Sequence, residues 1–116
     1  MAARFTVYRN LLSCLKSTLP AAYPVSVRRV PLTTKLDGRC WKHGKKFHIQ
    51  ISSTLDESRA IDVLIHEWAH ARAWNHRLDT VKNDEEFNKL AHDAAWGVAY
   101  AEVYSEYEKH FTHKVY

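Results

Sequence analysis

Leu55-Asp56-Glu57-Ser58-Arg59-Ala60-Ile61-Asp62-Val63-Leu64-Ile65-His66-Glu67-Trp68-Ala69-His70-Ala71 is the stretch on which the fold turns. Ile61, Leu64, Ile65, Trp68 and Ala71 recur at the three- and four-residue intervals of one helix face, which predicts an amphipathic helix from about Arg59 to about His76. The hydroxyl and acidic side chains between Ser52 and Ser58 are suited to cap its first N–H groups. His66 and His70 emerge beside the apolar stripe. Four residues apart on a helix is one turn, so both imidazoles can be aimed at a single point about 2 Å from each, the length of a zinc–nitrogen bond. Glu67 follows the first histidine, where a carboxylate can take a proton from water whose pKa a bound zinc brings towards roughly 7.

Outward from this helix the pattern changes period. Phe47-His48-Ile49-Gln50-Ile51 alternates as a half-buried strand does, and Arg39-Cys40-Trp41-Lys42 precedes it across a turn at His43-Gly44-Lys45, which predicts a β-hairpin. Val25 to Val30 reads as a further short strand. Phe5, Tyr8, Leu11, Leu12, Leu15 and Leu19 have helical spacing up to Pro20, which predicts an N-terminal helix. Beyond a polar loop, Asp84-Glu85-Glu86 suits the N-terminus of a last long helix running to about His110, with His92, Trp96, Ala99, Tyr100 and Val103 along one side. The expected class is therefore α+β. An N-terminal helix and a small three-stranded sheet with a hairpin precede two long helices that carry the site.

The chain has 116 residues, 46% of them apolar and 12% aromatic, enough for one core, so residues 1–116 are expected to form a single domain. Phe5 to Leu19 is the nearest thing to a leader, but Arg9, Asn10 and Lys16 interrupt it and it is too short to span a bilayer. The expectation is a cytoplasmic protein with no membrane partner, its Cys14 and Cys40 reduced. The formal charge is +4, and Arg28, Arg29, Lys35, Arg39, Lys42, Lys45 and Lys46 all fall in the first half. Such a half suits nucleic acid or an acidic partner, yet no nucleic-acid motif accompanies it, and a solvated basic face is the simpler expectation.

Eight histidines stand at His43, His48, His66, His70, His76, His92, His110 and His113. A catalytic zinc normally takes three protein ligands and leaves one position for water, so a third donor is needed beyond His66 and His70. His76 has the spacing found in H-E-x-x-H-x-x-G-x-x-H enzymes, although Ala73 stands where those have glycine and no methionine turn follows. His92 is the preferred candidate. Asp93 next to it serves as an alternative ligand, as a cap, or as a carboxylate orienting an imidazole, and Glu102 is the fourth option. Tyr100 and Tyr104 are candidates for a phenol that hydrogen-bonds a developing oxyanion.

The run from Phe47 to Ile51, then Val63-Leu64-Ile65-His66-Glu67-Trp68-Ala69-His70 with Trp74, then His92-Asp93-Ala94-Ala95-Trp96, resembles the minimal zincin domains of the SprT-like group. The likeness covers about residues 47 to 104. It implies one zinc ion held by His66, His70 and His92, with Glu67 as general base, in a peptidase acting on protein or peptide substrates. The chain lacks the ribbon of cysteines that follows in that group, and its short form is similar to small phage-encoded metallopeptidase-like proteins, which would place it in a bacterial or phage-infected cytoplasm. The competing expectation is a non-catalytic module in which zinc only joins helices and the basic hairpin contacts nucleic acid or a host protein.

Overall fold

The computed structural model describes residues 5–33 and 35–111. Among them are four α-helices and a three-stranded mixed sheet: α1 (Thr6–Thr18), β1 (Val25–Val30), β2 (Gly38–His43), β3 (Lys46–Ser52), α2 (Glu57–Arg72), α3 (Asp84–Ala91) and α4 (Ala94–Phe111), with a short 3-10 turn at His76–Asp79. The expected α+β class and element order hold at this level.

The sheet order is β1-β3-β2. β3 runs parallel to β1, with Val27 opposite Ile49, and antiparallel to β2, with Cys40 opposite Ile49. The hairpin turns at Gly44-Lys45, and Gly44 has φ 61°, a left-handed value that an L side chain rarely adopts. Phe47, Ile49 and Ile51 of β3 are all buried on the face that meets α2. β2 is left as an edge strand, paired on one side only.

α2 is the central element. Asp56 caps its start, accepting the Arg59 N–H at 2.9 Å, and Ile61, Leu64, Ile65 and Trp68 are each at most 5% exposed. Complete burial of such a side chain contributes about 1.5–3 kcal/mol, so this face anchors the domain. Trp68, between the two motif histidines, serves the core, and its indole N–H donates to the Leu19 carbonyl at 2.8 Å. α1 supplies Tyr8, Leu11 and Leu15 to the same core, and α4 supplies Val103. Several cations of the first half are taken up internally. Arg29 donates to the carbonyls of Ser53 and Leu55, and Lys42 pairs with Asp79 at 2.8 Å.

Two expectations are corrected. The helix carrying His66 stops at Arg72, so His76 falls in the 3-10 turn. The last helix is not continuous. His92 caps the C-terminus of α3 with its N–H on the Asn88 carbonyl at 3.2 Å, and Asp93 begins a new helix by accepting the Trp96 N–H at 3.0 Å. Asp93 is thus a helix cap, since a short acidic side chain here satisfies an N–H that the helix itself leaves free.

Candidate metal centre

His66 and His70 stand one turn apart on α2, and the break between α3 and α4 turns His92 towards them. The Nε2 atoms of His66 and His70 are 3.1 Å apart, those of His66 and His92 are 3.4 Å apart, and the three ligand atoms all lie within 4.8 Å of one another. Nitrogens bound tetrahedrally at about 2.0–2.1 Å are separated by roughly 3.3 Å, so the two spacings from His66 suit ligands of a single small ion. Among the described residues these three histidines form the only such group and no fourth donor joins it.

The surrounding groups prepare the rings as ligands. The Nδ1 of His92 lies 2.8 Å from the Asn88 carbonyl, so the proton it donates there leaves Nε2 with its lone pair facing inward. Burial, then the nearby His92, lowers the pKa of His66. Burial, then His66 and His92, pulls that of His70 down to about 3 against the opposing effect of Ala91. Both shifts favour the neutral imidazole that coordinates a cation. Trp96 lies against the whole cluster, its ring 5.1, 5.5 and 4.9 Å from those of His66, His70 and His92. In the sequence Trp96 stood on an apolar face and in the segment that carries the resemblance, but its contact with all three imidazoles was not legible there.

Glu67 points between the sheet edge and the histidines. Its residue is 7% exposed, and burial alone raises its pKa to about 7. It lines two adjoining cavities. One, of about 270 Å³, is walled by the three histidines together with Gly38, Cys40 and Trp74. The other, of about 460 Å³, also reaches His66 and is closed by Asp37, Arg59, Asp62 and Tyr100. The wall opposite α2 is therefore β2, not the strand immediately before the helix, because β3 occupies the centre of the sheet. Gly38 makes this approach possible: a Cβ there would overlap Cγ1 of Val63 and come within 3.4 Å of Cγ of Glu67.

The other candidates lie apart. Glu102 pairs with Arg72 at 3.7 Å, and neither it nor His76 or Asp93 belongs to the group. Tyr104 stacks on Tyr100, with ring centroids 6.2 Å apart, and only Tyr100 lines the cavity. His48 stacks on Trp41 and His110 meets Glu106 at 2.9 Å, whereas His113 is outside the described residues. Cys14 and Cys40 are free thiols. No helix among the described residues is long and apolar enough to cross a membrane.

The fold and site together define an α+β chain with a three-histidine group able to hold a metal ion. Comparison of the chain with protein-family models, curated proteins and solved structures gives no match.

Proposed function

We propose that the chain is a zinc-dependent peptidase of the minimal zincin kind, with His66, His70 and His92 as ligands and Glu67 as general base. The observation that carries this reading is the convergence of three Nε2 atoms, with no fourth donor among the described residues, on a cavity that a buried glutamate also lines. A purely structural zinc normally takes four protein ligands, so a three-donor group favours catalysis over a metal that only joins helices. Zinc bound there supplies Lewis acidity, polarising a carbonyl oxygen and making water acidic near neutral pH.

The remaining work falls to the chain's own groups. Glu67 takes the proton of the attacking water and delivers it to the departing amine, a task suited to a carboxyl whose pKa lies near the operating pH. Tyr100 lines the adjoining cavity, and its phenol would donate a hydrogen bond to the oxygen that gains charge. The Trp96 ring packs against the histidines on one side, and Gly38 and Cys40 line the cavity on the other. A peptide is the favoured substrate class because β2 is an edge strand whose residues line the cavity, and an extended chain can add to such an edge by main-chain hydrogen bonds.

The test is Glu67→Gln. Zinc stoichiometry should remain that of the wild type while hydrolysis of an unfolded protein substrate, such as casein, is abolished. Equal turnover by the two proteins would remove Glu67 from the mechanism.

A further inference from the structure

Beyond the metal cavity, on the side of the hairpin turn, lies a second concavity of about 400 Å³. Its walls are Trp41 on β2, Trp74 after α2, Leu78 in the 3-10 turn and Phe87 on α3. Trp74 and Phe87 also wall the cavity that holds the three histidines, so the two spaces adjoin. The walls are set before any ligand arrives. The Trp74 indole N–H donates to Asp79 at 3.1 Å, Asp79 is fixed in turn by Lys42 at 2.8 Å, and Trp74 packs on Phe47 with ring centroids 5.6 Å apart.

The edge strand links these places in order. Gly38, Arg39 and Cys40 border the histidine cavity, and Trp41, Lys42 and Gly44 border the aromatic one. From Gly38 to Trp41 is three residues, roughly 10 Å at the rise of a strand. A peptide laid along β2 with its scissile bond at the histidines would therefore set a side chain into the aromatic space about three residues away. The Trp74 and Phe87 rings and Leu78, bordered by the strand at Trp41 and rimmed by an ion pair that neutralises itself, suit a large uncharged ring.

We infer that the space between Trp41, Trp74 and Phe87 is a specificity subsite that accepts an aromatic side chain of an extended peptide substrate, two or three residues from the bond cut. This rests on the peptidase reading, and the experiment separates the two. Blocked decapeptides of serine, alanine and glutamine carry a single phenylalanine that is moved one position at a time, and the zinc-loaded protein is assayed on each with cleavage positions read by mass spectrometry. The bond cut should travel with the phenylalanine at a fixed offset. In Phe87→Ala the ratio of kcat/KM for the phenylalanine peptide to that for its serine counterpart should fall about tenfold, and Phe87→Leu should restore most of it. Because α3 contains no buried residue, neither substitution removes part of the core.

Cleavage at positions indifferent to the phenylalanine, or an unchanged ratio in Phe87→Ala, overturns the subsite and leaves the peptidase intact. If no peptide is cut by the wild type, the peptidase reading fails and the subsite is judged by binding, through titration of tryptophan fluorescence with the same peptides. A phenylalanine peptide that binds about tenfold more tightly than its serine counterpart, with the difference lost in Phe87→Ala, sustains it. Equal binding overturns it.

Discussion

Gly38→Ala tests whether the approach of β2 to α2 is as close as the structure makes it. The new Cβ would overlap Cγ1 of Val63, lie 3.2 Å from the Gln50 carbonyl oxygen and touch Cγ of Glu67 at 3.4 Å. Val63 is 7% exposed and belongs to a helix whose other side is packed on the core, so it has little room to yield. Forcing a methyl into a packed site costs about 1–3 kcal/mol, while alanine recovers about 0.4–1 kcal/mol by restricting the unfolded chain. Subtracting the second range from the first, end by end, leaves a net loss of about 0.6–2 kcal/mol. For a chain of 116 residues each kcal/mol lowers the melting temperature by about 4 °C, so the expected drop is about 2–8 °C. Thermal unfolding of the metal-free protein, followed by circular dichroism, measures it without reference to activity. Val63→Ala costs stability by itself, but in the double variant it makes space for the added methyl, and a coupling of about 0.5–3 kcal/mol should appear between the two positions. A Gly38→Ala protein that melts with the wild type, or two costs that simply add, would refute the close contact.

Trp96→Ala removes the ring that lies against all three imidazoles and should weaken zinc binding by about 10–100-fold, with Trp96→Phe intermediate, as measured by competition with a chromogenic chelator. An unchanged affinity would mean that the ring has no part in holding the cluster. Asp93→Ala should lower stability by about 1 kcal/mol through loss of a helix cap while retaining a full complement of zinc, whereas His92→Ala should lose the metal; zinc analysis of the two proteins checks this, and metal loss in the aspartate variant would make Asp93 a ligand. Burial first, and the neighbouring Glu67 carboxylate second, raise the pKa of the Cys40 thiol well above its usual range. Because the thiolate is the reactive form, alkylation of Cys40 at pH 8 should be slow in the folded protein and rapid in urea; fast labelling of the folded protein, located by peptide mapping, would contradict its placement in the cavity wall.

How much of the site was legible follows from the range of each signal. His66, Glu67 and His70 lie on one helix, and their relative placement depends only on helical geometry, which the apolar spacing around them announces. The Asp93 cap was among the roles open in the sequence, because a short acidic side chain before a helical run has a local meaning. The break at His92 was not legible, since His92-Asp93 falls within a run whose apolar spacing fits an unbroken helix. Gly38 carried no signal of its own, and Trp96 was legible as a residue of an apolar face and of the segment that carries the resemblance. Their parts in the site depend on contacts with Val63 and with three imidazoles distant in the chain.

The sequence by itself determined a capped amphipathic helix with two histidines a turn apart, a hairpin turning at His43-Gly44-Lys45, and the α+β order of elements. These are consequences of backbone geometry within a few residues. Only the tertiary structure decided that His92, and not His76 or Glu102, completes the group, that the edge strand β2 forms the facing wall, and that Glu67 is buried between them. Those outcomes depend on where the chain returns after the loop beyond α2. That return is governed by packing of α4 on α2 and by the room that Gly38 leaves for α2, interactions between segments whose separation in sequence carries no periodic signal.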